Sequence, residues 1–430
     1  MSYEKLLKEA VDGFMDDEKA PEINDDYRRY VTESVIENQI KFNHGINESD
    51  EPTNQTSGVK NFDPVLIKMV RRSMPKLMAF DLTGVQPMSG PTGSIFAMRS
   101  RYTNQSGSEA LFNEADSQFS GDQNGTAQAG DTSGFSADYF GTGDPAESTT
   151  YGTGMSTTDA EQLGSPAGDA WNEMAFTIER TDVSAKSRKL KAQFSRELQY
   201  DLKNIHNLDA ETELANILST EITAEIDREL LRTINVAAVV GAQSAATPGR
   251  FDLSTDSDGR WLVERFKGLI FQIELEANRV SIDTRRGKAN RVVCSSNVAS
   301  ALNMAGVLDY NPQMAVNMNV DPSGNTYAGV LLGKYQVYID PYAAIDYVTV
   351  GYRGANAWDA GVYYCPYLPL EMYRAQGEDN FNPKVGFATR YGIIANPFEH
   401  NDINGARPGK GLGQGENRYF RKFAVSNIQG

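Results

Sequence analysis

Side chains that do chemistry are sparse in this chain. Its 430 residues hold three histidines, His44, His206 and His400, and two cysteines, Cys294 and Cys365. No histidine has a second histidine or a cysteine at ligand spacing, so the HExxH and paired-cysteine zinc patterns are missing. Gly333-Lys334 is followed by Tyr335 and Gly409-Lys410 by Gly411, so neither pair supplies the hydroxyl that holds Mg²⁺ in a phosphate loop. No GxSxG elbow offers a hydrolase nucleophile. The run GKGLGQG (409–415) lacks GxGxxG spacing and reads as a loop. Cys365 lies in the apolar stretch VYYCPYLPL, which predicts a buried strand and an inert thiol. A carboxylate-based hydrolase would leave no local motif, but nothing in the sequence argues for an enzyme, a cofactor or a metal.

Composition removes further classes. At 40% hydrophobic and 10% aromatic residues the chain is not globally disordered. No apolar run approaches the roughly 18 residues of a membrane-spanning helix. The opening MSYEKLLKEAVDGFMDDEKA mixes acids and bases, unlike a secretory signal. Two cysteines make no disulfide framework and suit assembly in a reducing cytosol. The net charge of −16 argues against a protein whose whole surface grips nucleic acid. That charge is concentrated. Residues 1–48 carry twelve acids and six bases, net −6, and residues 103–170 carry eleven acids with no lysine or arginine. What remains, 49–102 with 171–430, is nearly neutral at +1. The 103–170 stretch also holds eleven glycines and little periodicity, and is expected to be an insertion projecting into solvent. It reads as a disordered acidic loop or a loosely packed small domain, with a calcium site as a third reading.

The elements that would position any site follow from periodicity. Tyr3, Leu6, Leu7, Ala10, Val11, Phe14 and Met15 recur at helical spacing. A second helix is expected over Asp26–Lys41, followed by an exposed polar linker over 43–58. SIFAMRSRY (94–102) alternates as a strand, and Met174, Phe176 and Ile178 resume the alternation, so the two stretches should pair as an antiparallel hairpin with the insertion at its tip. The basic cluster Lys186, Arg188, Lys189 and Lys191 reads as a solvated strand face making ion pairs, with phosphate contact as the alternative. Asp209 is placed as the N-cap of a long helix over Ala210–Ala238, about 43 Å at 1.5 Å per residue. A further helix is expected over Arg260–Val280, then strands in RVVCSS, GVLLGKYQVYID, DYVTVGY, AGVYYCPYLPL, KVGFATRYGIIANPF and YFRKFAV. The order predicts a mixed α+β fold without a regular βαβ repeat.

Several blocks resemble a known family. VRRSMPKLMAFDLTGVQPMSGPTGSIFAMR, WNEMAFTIERTDVSAKSRKLKAQFSRELQYDL, GKYQVYIDPYA, DAGVYYCPY and KVGFATRYGIIANPF are similar, in order, to the major capsid protein of T-even-like contractile-tailed bacteriophages. The resemblance implies the tailed-phage capsid fold: a cleavable acidic propeptide (1–48), an N-terminal arm (49–85) and an extended hairpin loop (86–200) carrying the acidic insertion (103–170). A peripheral domain with a spine helix (201–239), an axial domain (240–375) and C-terminal strands returning to the peripheral domain (376–430) would follow. The implied function is a non-enzymatic subunit that self-assembles into hexamers of an icosahedral head enclosing double-stranded DNA. The paralogous vertex protein, which builds pentamers, is the alternative. Implied partners are other copies, the vertex protein, a scaffolding core, a prohead protease, outer decoration proteins, and packaged DNA touched without sequence specificity. No membrane insertion is implied, and the location is the virion, assembled in the host bacterial cytoplasm.

The family's head protease resembles a Glu-directed enzyme preferring Leu or Ile two residues before the cut. Leu7-Lys8-Glu9, Ile46-Asn47-Glu48 and Leu262-Val263-Glu264 fit that pattern. The third falls in an expected helix and the first would spare most of the acidic arm, so cleavage is expected between Glu48 and Ser49, with Ile46 as recognition residue. Removal of 1–48 would take the subunit from −16 to −10. The stripe Leu6, Leu7, Val11, Phe14 and Met15 is expected to contact scaffold, or alternatively to pack on the subunit's own body.

Overall fold

The computed structural model describes residues 11, 15, 23, 25–46, 77–111, 115–122, 152–165, 170–257, 259, 261–306, 308–310, 326–356, 358–377, 382–396 and 412–428. Its helices are α1 (Asp26–Ile46), α2 (Ala79–Leu82), α3 (Thr157–Gln162), α4 (Arg196–His206), α5 (Ala210–Ala237), α6 (Leu262–Thr284) and α7 (Ser296–Met304). Its strands begin with β1 (Gly84–Val85), β2 (Thr92–Tyr102), β3 (Met174–Ser184), β4 (Lys186–Gln193), β5 (Ala238–Val240), β6 (Arg250–Asp252) and β7 (Arg291–Ser295). They continue with β8 (Leu308–Tyr310), β9 (Thr326–Leu331), β10 (Tyr335–Asp340), β11 (Tyr347–Gly351), β12 (Val362–Gln376), β13 (Pro383–Ala395) and β14 (Asn417–Ser426). The chain divides into two units, one of Met1–Ile95, Thr181–Asn401 and Arg407–Gly430, the other of Phe96–Arg180 with Asp402–Ala406.

In the larger unit, α5 provides the organising surface. Leu218, Ile222, Ile226, Leu230 and Ile234 recur every four residues and form one buried face. Asp209 occupies the N-cap as expected, but its carboxylate takes the Thr212 hydroxyl at 3.0 Å instead of a backbone amide. The buried face belongs to a core shared with α1, the Leu77–Val85 segment and a four-stranded sheet of order β1-β12-β13-β4. Asp227, fully buried on α5, accepts the Met78 N–H at 3.1 Å and ties that segment to the helix. A second core lies between α6, α7 and a mixed sheet of order β5-β14-β11-β7-β10-β9-β8, with β6 on β14. From α6 it receives Phe266, Leu269, Ile273, Ala277 and Val280. The last two long strands separate: β13 pairs with β12 and β4, whereas β14 pairs with β11, β5 and β6. Both sheets combine parallel and antiparallel neighbours, as the α+β reading requires.

Three boundaries differ from expectation. α1 continues past Lys41 to Ile46, so the polar residues 43–46 are helical and not linker. α6 runs beyond Val280 to Thr284, whose hydroxyl bonds the Val280 carbonyl, before Arg285 turns left-handed at φ 53°. GVLLGKYQVYID is two strands, because Leu332 and Gly333 adopt φ 54° and 67° and Lys334 N–H bonds the Leu331 carbonyl at 3.0 Å. Leu331 pairs with Tyr335, so the three residues 332–334 form the hairpin loop, and the left-handed backbone at Leu332 and Gly333 reverses the chain.

The basic cluster on β4 makes ion pairs through Arg188. Its guanidinium reaches Glu225 at 2.8 Å and Glu229 at 2.5 Å on α5, and the Tyr391 hydroxyl at 2.5 Å. Tyr391 in turn donates to Glu229. Burial pushes the Glu229 carboxyl up, but the hydrogen bonds from Tyr391 and Arg188 outweigh it and hold the group below its ordinary value of 4.5. A depressed carboxyl contributes stability above its unfolded pKa and loses that contribution as pH falls through its folded pKa. Acid should therefore loosen the joint between α5 and the four-stranded sheet. Melts from neutral pH down to about pH 3 should show a flatter acid limb for Glu229→Gln than for the parent. An identical acid slope would remove Glu229 from this role.

Candidate functional site

β2 and β3 form a two-stranded antiparallel ribbon bracketed by Thr103 N–H to the Glu173 carbonyl and Ala185 N–H to the Pro91 carbonyl. This register sets Met98 opposite Ile178 and Ser94 opposite Asp182, whose side chains bond at 2.6 Å. The ribbon's faces invert the usual rule. Phe96, Met98, Phe176 and Ile178 are 64%, 67%, 59% and 64% exposed, while Arg99 is 6% exposed. A contiguous apolar face of this kind marks a surface made to be covered.

The arginine face is held by charge. Arg99 lies 3.2 Å from Glu109 and 3.2 Å from Glu179, and Arg101 lies 3.7 Å from Glu179. Arg101 also donates to the Thr177 hydroxyl at 3.1 Å and the Gly107 carbonyl at 2.9 Å. Burial raises the Glu179 carboxyl above its ordinary value, against the pull of Arg99 and Arg101. Glu109 is one of the eleven acids of the 103–170 stretch, so the insertion is anchored by arginines lying just outside it. The described parts of that stretch contain one helix, α3, capped by Ser156, whose hydroxyl accepts the Asp159 N–H at 3.2 Å.

At the N-terminus, the helical residues Val11 and Met15 are 8% and 6% exposed and belong to the core around α5. Leu6, Leu7, Phe14, Glu48 and Ser49 lie outside the described residues, and Ile46 is the last residue of α1. In α1 itself Val31, Val35 and Ile36 are 0% exposed and Ile40 is 1% exposed. At about 1.5–3 kcal/mol per buried aliphatic side chain, these four contribute at most roughly 6–12 kcal/mol.

Among the described residues, the groups that could do covalent chemistry are not assembled. Burial pushes the Cys365 thiol up to about 12, and burial with the nearby Asp340 charge does the same for Cys294. Such thiols stay protonated and inert at neutral pH. Among the described residues no group of three His, Cys, Asp or Glu could hold a metal ion, and no helix is long and apolar enough to cross a membrane. Of GKGLGQG, residues 412–415 form bends and a turn leading into β14, with Gly415 at φ 71°.

Sequence reasoning found the hairpin but not which face is covered. The signal was available: two arginines share one side of SIFAMRSRY with Ile95 and Ala97, and glutamates stand at 109 and 179. It also missed that α1 is a core element, although Val31, Val35, Ile36 and Ile40 have helical spacing.

A family model described as "Major capsid protein Gp23" matches residues 59–425. The major capsid protein of Serratia phage KSP90 is 46% identical over 413 residues, covering 93% of this chain and 92% of that protein. The major capsid protein of Enterobacteria phage T4 is 36% identical over 479 residues, covering 96% of this chain and 92% of its own length. The capsid vertex protein of the same phage is 28% identical over 265 residues, covering 58% of each.

The ribbon's ionic face makes its own test. Arg99→Ala removes the cation shared by Glu109 and Glu179, and the loss expected for a broken buried pair is about 3 kcal/mol. Denaturant unfolding should report it, together with faster hydrogen exchange in β2 and β3. A loss under about 0.5 kcal/mol would place the network among ordinary surface pairs.

Proposed function

The chain belongs to the Gp23 family of major capsid proteins, and from that membership we propose that it forms the hexamers of an icosahedral phage head enclosing double-stranded DNA. Membership itself makes it a structural, non-enzymatic protein of a bacteriophage capsid that self-assembles into a shell. The observation that carries the hexamer role is the breadth of the match, 93% of the chain to a major capsid protein against 58% to a vertex protein. The vertex role is the alternative reading, and the narrower match supports it less.

In the proposed architecture 1–48 is the propeptide, 49–85 the arm, and 86–200 the extended loop with its insertion at 103–170. Residues 201–239 hold the spine helix, 240–375 are the axial domain, and 376–430 return as strands. The ribbon β2-β3 and the long α5 supply the loop and the spine. The exposed face of Phe96, Met98, Phe176 and Ile178 supports a contact with another copy, which would bury apolar surface at a subunit boundary. The near-neutral body suits such packing, and the acid concentrated in the insertion would keep the shell exterior soluble.

Assembly in the host bacterial cytoplasm would involve a scaffolding core, a vertex protein and a prohead protease, with decoration proteins outside and DNA within. The protease would cut between Glu48 and Ser49, reading Ile46. For the stripe Leu6, Leu7, Val11, Phe14 and Met15, scaffold contact is one reading and packing on the subunit's own body is the other. The burial of Val11 and Met15 in the core favours the second.

Two experiments test these readings. Mass spectrometry of mature shells should find Ser49 as the first residue, and an intact N-terminus in DNA-filled particles would sink the cleavage. Met98→Asp with Ile178→Asp should leave folded subunits that negative-stain images show without shells. Normal shells from that variant would take the ribbon face out of the assembly contact.

A further inference from the structure

Residues 1–48 form the proposed propeptide, yet α1 within it is packed as part of the core. Four of its apolar side chains, Val31, Val35, Ile36 and Ile40, belong to one buried cluster that also includes Leu77, Phe80, Leu82, Val85 and Tyr364. Thr32 is 0% exposed on the same helix. Polar contacts fix its register. The Tyr27 hydroxyl donates to the Val85 carbonyl, and the Asn38 amide donates to the Met88 carbonyl at 2.8 Å and the Tyr367 carbonyl at 3.4 Å. Arg28 pairs with Asp81 and stands 5.4 Å over the Phe80 ring.

None of these contacts runs through the peptide bond between Glu48 and Ser49. Hydrolysis there consumes one water and leaves a carboxylate on Glu48 and an ammonium on Ser49. It changes none of the groups in the contacts just described. A helix laid into an apolar groove is a recognised mode of peptide binding, and here side chains of the helix also bond facing backbone carbonyls. Release would uncover the apolar groups beneath it, which water opposes.

We propose that the surface α1 covers, where Phe80, Asp81, Val85, Met88 and Tyr367 meet Tyr27, Arg28 and Asn38, is a binding site for an amphipathic helix, and that its occupant after cleavage is the subunit's own α1. Cutting and release are then separate steps. The cut turns an intramolecular contact into a dissociable one, and the helix leaves only when something else covers the groove. This rests on the proposed cleavage, but it concerns the fate of the fragment once cut and not the enzyme that cuts it.

The test therefore supplies the cut. In the full chain, residues 47–50 are replaced by the recognition sequence of a site-specific protease, and the purified subunit is cleaved. Size exclusion with native mass spectrometry should find the N-terminal fragment still bound, and hydrogen exchange should find amides 26–46 still protected. Separation of the fragment on cleavage would overturn the proposal, as would retention with 26–46 unprotected, since another segment would then be holding it. Cutting a mixture of isotope-labelled and unlabelled subunits tests the occupant. Fragments that keep to their own subunit support it, and exchange as fast as mixing overturns it. Tyr27→Phe with Asn38→Ala leaves the apolar groove intact and removes two polar anchors. It should fold and speed fragment loss by on the order of tenfold or more, and an unchanged rate would refute the register contacts. The N-terminal residue of authentic mature shells reads the cleavage site independently, so either claim can fail alone.

Discussion

The larger unit depends on covering one face of α5. A 28-residue helix with a buried row from Leu218 to Ile234 cannot exist alone in water, because that face must be removed from solvent. The four-stranded sheet, the Leu77–Val85 segment and α1 all contribute side chains to that core. Polar groups then set the register. Asp227 receives the Met78 amide inside the core, and Arg188 with Tyr391 grips Glu229 at its edge. Apolar burial supplies most of the free energy without direction, while the hydrogen bonds specify which of many apolar contacts is made.

The ribbon shows the opposite arrangement. Arg99, Arg101 and Glu179 are enclosed on one face, while Phe96, Met98, Phe176 and Ile178 face outward on the other. Burying Arg99 is tolerable because Glu109 and Glu179 both lie within 3.2 Å, which offsets much of its desolvation. Leaving Phe96, Met98, Phe176 and Ile178 in water makes sense for a chain whose finished state is a shell. A contiguous apolar face of this kind marks a surface made to be covered, and under the proposed function a neighbouring copy covers it.

The N-terminal segment joins both themes. Its acidity and its place before a protease recognition motif fit a disposable arm, whereas Val11, Met15, Val31, Val35, Ile36 and Ile40 are buried inside the subunit. A segment proposed for removal can still shape the fold, since packing responds to the contacts present and not to their later fate.

Much of this protein was legible in its residues. The long helix was delimited to within one residue at its end, because an amphipathic repeat bounded by Asp209 and the residues before Gly241 depends on local spacing alone. The hairpin, the strands and the inert Cys365 follow equally from alternation and apolar context, and ordered blocks of side chains identified the capsid family. Tertiary structure decided the rest, because those questions concern partners distant in the chain. Whether Arg99 or Met98 faces inward depends on glutamates 10 and 80 residues away from Arg99, at 109 and 179. Whether Asp26–Ile46 is an arm or a core helix depends on Val85, Met88 and Tyr367 meeting Tyr27 and Asn38. Periodicity tells a segment which of its faces differ, but only the fold supplies the surface against which one of them is buried.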